Sequence, residues 1–168
     1  QKEYMKNILT HVNPYTKTTL AQDPAVVFID IINEATLYFM FEKGECAFET
    51  DYYKNLWQKH FNEYLLKTYK DRQTLVKRWN QEIGKIGIEE NEDPSKGNVL
   101  IPVYYKNSNY SLARIKDTYK FIHDFEYAYY KDMENYLRSL GVKALITGTN
   151  WNNPDFGNDL VNAKFDFL

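Results

Sequence analysis

The chain has 168 residues and a formal net charge of −2, and its residues are 43% hydrophobic and 26% charged. These values are ordinary for a globular protein with its own core. Lysine and arginine are scattered, so the concentrated basic patch that nucleic-acid binding needs is missing, and the apolar stretches are too short to span a bilayer. We therefore expect neither a nucleic acid nor a membrane among its partners.

Two residue types narrow the chemistry further. The single cysteine, Cys46, excludes an internal disulfide and a cage of thiolate ligands for a metal. Fifteen Tyr, ten Phe and three Trp make the chain 17% aromatic. Such side chains fill cores and grooves, and where they stay exposed they stack on flat surfaces, including sugar rings.

The N-terminal part is predicted to form a helix, a polar loop and a strand. Apolar residues at helical spacing predict a helix up to Val12, which Asn13 and Pro14 end. Pro24 closes the loop that follows. Residues 25–32 are almost continuously apolar and β-branched, which is typical of a strand buried on both faces of a parallel sheet.

The middle of the chain is predicted to be largely helical. One helix begins at Thr50 or Asp51 and a second, shorter one begins at Asp71. Polar, glycine-rich residues over 84–97 predict a surface loop, and 99–105 predict an extended edge segment. The apolar stripe of the first helix consists of Leu56, Trp57, Phe61, Tyr64 and Leu65.

The C-terminal part begins with the longest predicted element, a helix over 111–140. Gly141 follows it at the position of a C-terminal glycine cap. A second buried strand is predicted over 142–147, and 164–168 predict the start of a third. The apolar face of the helix is predicted to consist of Ile115, Tyr119, Ile122, Tyr129, Met133, Tyr136, Leu137 and Leu140.

This order of strands and helices indicates an α/β fold with a few parallel strands and long helices on the outer face. In such folds the chemistry collects at the carboxyl ends of the strands. Asn33 and Glu34 follow the first predicted strand, and Asn150 and Trp151 follow the second. We therefore expect these four residues to lie at the same end of the sheet.

Glu34 is the candidate acid/base of this cluster. Because it follows eight largely apolar residues, its carboxyl group should be desolvated, which favours the protonated form that a general acid needs. Asn33 offers both a donor and an acceptor for a sugar hydroxyl. An Asn-Glu pair is a short signal, however, and the plain alternative is a carboxylate at the end of an ordinary strand.

Longer segments resemble one family. Residues 23–34 resemble the fourth-strand signature of the (β/α)8-barrel glycoside hydrolases of the cellulase and mannanase clan, in which an apolar strand ends in Asn-Glu. Residues 11–16 resemble the segment that leads into that strand, 137–150 the helix and fifth strand, and 164–168 the start of the sixth strand. The resemblance implies that 1–168 are a partial catalytic domain, from the middle of a TIM barrel.

The same resemblance implies an activity, namely hydrolysis of β-linked oligo- or polysaccharides with retention of configuration. Glu34 would be the acid/base, Asn33 would hold the 2-hydroxyl group, and Asn150 and Trp151 would line the cleft. No cofactor and no metal are expected, because protonation and nucleophilic attack are carboxylate chemistry. The parent protein would be secreted or periplasmic if it carries an upstream signal peptide.

The second carboxylate of this mechanism has no clear candidate here. In the clan the nucleophile ends the seventh strand, so we expect it outside this chain and expect the isolated chain to be inactive. Asp155 and Asp159 are nearer, but their asparagine-rich surroundings indicate a solvated turn. A partial barrel would also leave open sheet edges that favour self-association. The alternatives are a non-catalytic, helix-rich α/β module that binds carbohydrate or protein, and a different hydrolase on a complete small α/β sheet.

Overall fold

The computed structural model describes residues 1–42, 50–102, 109–151 and 157–168. The chain combines helices with two parallel strands, an arrangement compatible with an α/β fold. By its internal contacts it divides into two compact units, Gln1–Thr36 with His123–Leu168, and Leu37–Ile122. In chain order the elements are α1 (Lys2–Leu9), β1 (Phe28–Ile32), α2 (Leu37–Glu42), α3 (Asp51–Tyr69), α4 (Arg72–Trp79), a 3₁₀ turn (Pro94–Lys96), α5 (Leu112–Ser139), β2 (Leu145–Thr149) and α6 (Gly157–Asn162).

The two strands pair in parallel, which confirms the pairing predicted from the order of elements. Phe28 of β1 lies opposite Leu145 of β2, and Ile32 lies opposite Thr149. Because Ile32 and Thr149 are the last residues of their strands, both strands end at the same level of the sheet. Asn33 and Asn150 are the first residues after this common end.

The first predicted strand starts too early. The Asp23 carboxylate accepts from the Ala25 N–H at 2.9 Å, and its carbonyl accepts from the Val26 N–H at 3.1 Å. These bonds hold the start of the apolar run in a turn, so β1 begins only at Phe28.

The second predicted strand is shifted along the chain. The Val142 N–H closes the end of α5 by donating to the Leu137 carbonyl, and Gly141 takes the left-handed conformation with φ +90°. Arg138 then donates to the carbonyls of Val142 and Ala144. Since these bonds occupy the backbone up to Ala144, β2 starts at Leu145 and runs to Thr149.

One face of the sheet packs on α5. Ile31 and Ile146 are buried there. Gly148 allows the closest approach, because a Cβ atom at this position would lie 2.5 Å from the ring of Tyr130. The neighbouring strand residue, Thr147, is also buried, and its hydroxyl donates a hydrogen bond to the carbonyl of Phe167.

The predicted third strand is wrong over its described residues. Residues 164–168 form turns and coil after α6. One ladder-like contact remains, because the Asp166 N–H donates to the Ile146 carbonyl at 3.0 Å while its carboxylate accepts from the Ile146 N–H at 2.8 Å. Asp159, predicted in a polar loop, lies instead in the first turn of α6.

The unit Leu37–Ile122 has an aromatic core built by α3, α4 and the first part of α5. Trp57 and Phe61 of α3 lie 4.7 and 5.3 Å from Phe121, measured between ring centroids. Asp71 caps α4, as its position predicted, by accepting from the Thr74 N–H at 2.8 Å. These elements confirm the helices predicted from Asp51 and Asp71.

A buried ion pair fixes the loop between α4 and α5. The guanidinium of Arg114 binds both carboxylate oxygens of Glu92 at 2.7 Å and also donates to the carbonyl of Gly87. Its planar group lies over the rings of Trp79 and Tyr110. The loop predicted over 84–97 is therefore ordered by a side chain of α5.

Some predictions reach beyond the described residues. Cys46, Asp155 and residues 103–105 of the predicted edge segment lie outside them, and 99–102 are not part of a strand. Among the helices that the structure describes, none is both long and apolar enough to cross a membrane.

Candidate functional site

Polar residues at the carboxyl ends of β1 and β2 form one hydrogen-bonded cluster. The side-chain oxygen of Asn150 accepts from the backbone N–H of Glu34 at 2.7 Å. The side-chain amide of Asn150 donates to the Oδ1 atom of Asn33 at 3.1 Å. The structure thus brings together three of the four residues that the sequence singled out, and Asn150 holds the other two.

Glu34 adopts a backbone conformation that few residues tolerate. Its φ of +49° lies in the left-handed region, which costs a residue with a side chain about 1–2 kcal/mol. The bond from its N–H to Asn150 supports this conformation. Strained backbone that is held in place by its surroundings is concentrated at functional sites, so the turn at Glu34 favours a functional role.

Thr149 connects the cluster to the buried part of this unit. Its hydroxyl oxygen accepts from the N–H groups of Ala35 at 3.4 Å and Trp151 at 3.2 Å. The side chain of Asn162 bonds both backbone groups of Thr149, with 2.7 Å to the carbonyl and 3.3 Å from the N–H. The sequence placed Thr149 at the second strand end together with Asn150 and Trp151 but predicted no role for it, and it did not single out Asn162.

Tyr130 supports the turn from α5. Its hydroxyl donates to the Ala35 carbonyl at 3.3 Å. Burial raises the pKa of Tyr130 well above its ordinary value, and the nearby Glu126 carboxylate raises it further. The hydroxyl therefore stays protonated and acts as a donor at physiological pH.

The side chains of the cluster face solvent. Asn33, Glu34 and Asn150 are exposed, and Trp151 is half-buried. The expected desolvation of the Glu34 carboxyl group is therefore not provided by the described residues. Trp151 is held through its carbonyl, which accepts from the side-chain amide of Asn158.

Asp30 is a further polar residue that was not predicted to matter. It lies inside the otherwise apolar β1, in register with Thr147 of β2. Its Oδ1 atom is buried and has no hydrogen-bond partner among the residues described. The signal was present, since an acidic residue interrupts the apolar run at this position.

Other candidate groups do not join the cluster. Asp159 is half-buried in α6, and His60 and His123 lie beside Glu63 and Asp124 at 3.3 and 3.1 Å. In the described parts of the chain, no group of three or more His, Cys, Asp or Glu side chains is arranged to hold a metal ion.

Comparison of the chain with protein-family models, with curated proteins and with solved structures finds no match. The function is therefore inferred from the cluster at the strand ends and from the residues of the chain itself.

Proposed function

We propose that this chain is part of a retaining glycoside hydrolase that acts on β-linked glycans, with Glu34 as its general acid/base. One observation carries the proposal. Asn33, Glu34 and Asn150 lie together at the carboxyl ends of two parallel strands, which is where α/β enzymes carry their chemistry.

Each residue has a role in the proposed reaction. Glu34 protonates the glycosidic oxygen in the first step and takes a proton from water in the second. Asn33 holds the 2-hydroxyl group, whose hydrogen bonds strengthen in the transition state. Asn150 fixes the position of both, and the half-buried Trp151 offers part of a ring for stacking against a sugar.

The nucleophile belongs to a part of the protein outside these residues. Retention requires a second carboxylate about 5–5.5 Å from the first. A segment that bears this second carboxylate would also cover Glu34, which is exposed here. It would thereby provide the desolvation that a general acid needs near neutral pH.

The finer fold that we propose is the middle of a (β/α)8 barrel, with β1 and β2 as its fourth and fifth strands. One contact supports this order, because Asp166 bonds both backbone groups of Ile146 although residues 164–168 form turns and coil. Those groups point away from β1, since the β1–β2 ladder uses the backbone of Leu145 and Thr147. The sixth strand would continue at this edge.

The test is an assay of the full-length product of the reading frame on two aryl β-glycosides, one with a good and one with a poor leaving group. We expect Glu34→Gln to lower turnover of the poor substrate by about 10²–10⁴-fold, the range for general acid catalysis. The good substrate needs little protonation, so its first step should fall much less.

The matched control is Glu3→Gln, because Glu3 is an exposed glutamate of α1 away from the strand ends. This variant should retain full turnover of both substrates. Equal activity of Glu34→Gln and wild type would refute the assignment of Glu34. A full-length product with no turnover at all would refute the hydrolase and favour the non-catalytic binding module.

A further inference from the structure

A groove lies in the part of the chain that precedes β1. It has a volume of about 350 Å³ and is formed by α1 and the loop that leads to β1. The residues that line it are Ile8, His11, Asn13, Pro14, Tyr15, Thr18, Leu20 and Asp23. Its size is within the range of small-ligand sites.

Tyr15 is presented to solvent by a rigid turn. Its side chain is 92% exposed. The Oδ1 atom of Asn13 accepts from the Tyr15 N–H at 2.9 Å, and the Asn13 carbonyl accepts from the Lys17 N–H at 2.9 Å. The Asn13 N–H donates in turn to the Thr18 carbonyl at 2.9 Å. Because the turn closes on itself, the backbone that carries the ring is fixed, and the ring is open to solvent.

The groove combines this ring with apolar and hydrogen-bonding groups. Ile8 and Leu20 are 40% and 44% exposed. Among the described residues, the imidazole of His11 has no hydrogen-bond partner. Of the two carboxylate oxygens of Asp23, only Oδ1 is bonded within this part of the chain, and it accepts from the Ala25 N–H. A flat apolar platform beside a donor and an acceptor matches a sugar ring, which has an apolar face and hydroxyl groups at its edge.

The charges at the groove restrict the ligand further. No lysine or arginine is among the residues that line it in the described part of the chain, and Asp23 contributes a negative charge. A phosphorylated or carboxylated ligand would meet repulsion there. An uncharged saccharide would meet no such repulsion.

We propose that this groove is a second, non-catalytic binding site for a neutral β-linked glycan, with Tyr15 as its stacking platform. His11 and Asp23 hydrogen-bond the hydroxyl groups. The choice of a β-linked glycan rests on the proposed function, but the site itself uses neither Glu34 nor the strand ends, and it would anchor a polysaccharide away from the place of cleavage.

The test uses cellohexaose and mannohexaose as probes in separate titrations of the chain, followed by NMR chemical shifts. We expect shifts over residues 8–23 with either probe or with both. Tyr15→Ala should weaken binding at least about fivefold, because a stacked aromatic contact is worth about 1 kcal/mol or more. Tyr15→Phe should retain binding, since it keeps the ring.

Two further variants make the result specific. Tyr4→Ala is the matched control, because Tyr4 is a 68% exposed tyrosine of α1 that does not line the groove, and it should bind like wild type. Glu34→Gln should also bind like wild type at residues 8–23. This result separates the groove from the proposed active site, so the groove can be confirmed even if hydrolysis fails.

Three outcomes would overturn the proposal. The first is that neither hexasaccharide shifts residues 8–23, and the second is that Tyr15→Ala binds as tightly as wild type. The third is that a proline-rich peptide, another ligand of exposed aromatic grooves, binds at Tyr15 while both saccharides do not.

Discussion

Arg114 and Glu92 illustrate how charged residues take core positions in this chain. Arg114 is fully buried and Glu92 is 4% exposed, and the two are joined by a bidentate pair. The N–H groups of Glu89 and Leu100 also donate to the Glu92 carboxylate. Breaking such a pair leaves an uncompensated buried charge, which typically costs about 3–5 kcal/mol.

The pair makes stability depend on pH. Burial alone would raise the pKa of Glu92, but the hydrogen bonds and charge of Arg114 and the two N–H donors outweigh it and lower the pKa below the ordinary 4.5. A carboxyl group with a lowered folded-state pKa stabilises the fold above its unfolded pKa, and this contribution is lost as the pH falls through the folded value. The loss should therefore begin below about pH 4.5.

We expect Glu92→Gln to lower the free energy of unfolding by about 3–5 kcal/mol at pH 6. The difference from wild type should shrink toward pH 3, because protonation of wild-type Glu92 progressively removes the contribution of its charge. Urea denaturation at both pH values measures this. Glu63→Gln, in an exposed contact with Lys59 and His60, should change stability by less than about 1 kcal/mol. A constant gap between pH 6 and pH 3 would contradict the assignment.

At the scale of single residues, the sequence indicated site residues only where a polar side chain of suitable chemistry also follows a predicted strand. Asn33, Glu34 and Asn150 follow strands, so the sequence could predict that they meet, and their catalytic and binding roles stay predictions. Asn162 and Tyr130 were not predictable, because they reach the cluster from α6 and α5 through long-range contacts. No local pattern encodes such contacts.

At the scale of elements, helices were predicted better than strands. The buried line of α5 has helical spacing, but it includes the polar residues Arg114, Thr118 and Glu126. Of the predicted apolar stripe, Ile122, Met133 and Leu137 are buried, whereas Tyr119 and Tyr136 are only half-buried. The periodicity predicted the helix. It could not predict which polar residues are buried, because a partner such as Glu92 of Arg114 lies far away in sequence.

Strand limits were set by competing local bonds that apolar runs do not reveal. Asp23 holds the start of the first run in a turn, and Arg138 occupies the carbonyls before β2. Asp166 meets Ile146 with its side chain as well as its backbone. Each of these polar side chains replaces ladder bonds that an apolar strand would otherwise make.

The contact between β2 and α5 can be tested at Gly148. Gly148→Ala should destabilise the fold by about 1–3 kcal/mol, the usual cost of overpacking, because the new Cβ would meet the Tyr130 ring and the Asn162 side chain. In a Tyr130→Leu background the cost should be at least about 0.5 kcal/mol smaller, since contacting residues couple. Thermal and urea denaturation of wild type, the two single variants and the double variant complete this double-mutant cycle.

Gly84→Ala serves as the control for this cycle. Gly84 has φ +76°, and a methyl group added there would have no atom within 4 Å, so its substitution strains only the local backbone. Its cost should be the same with Tyr130 or Leu at position 130, within about 0.5 kcal/mol. An additive result for Gly148→Ala as well would mean that the Tyr130 ring does not limit this position.

At the scale of the whole molecule, the sheet leaves one edge unpaired within the described residues. The backbone of Phe28, Asp30 and Ile32 points away from β2, and Val27 and Phe28 are 64% and 58% exposed. Open edges of this kind pair with other strands. We therefore expect the chain to self-associate in a concentration-dependent manner.

Sedimentation velocity over a concentration series measures this self-association. Phe28→Lys should reduce it, because a lysine on an edge strand opposes pairing with another chain, while Tyr4→Lys, a change at an exposed tyrosine of α1, should not. A wild-type chain that stays monomeric throughout the series would contradict the expectation.

The insertion of one compact unit between β1 and β2 has a consequence for how the chain acquires its structure. About 110 residues separate the two paired strands, and at a synthesis rate of about 5–20 residues per second β1 waits roughly 5–20 s for its partner. The unit Leu37–Ile122 is continuous in sequence and can fold during that interval. The turn at Glu34 can form its bond to Asn150 only afterwards, so the candidate site is among the last features of the chain to be assembled.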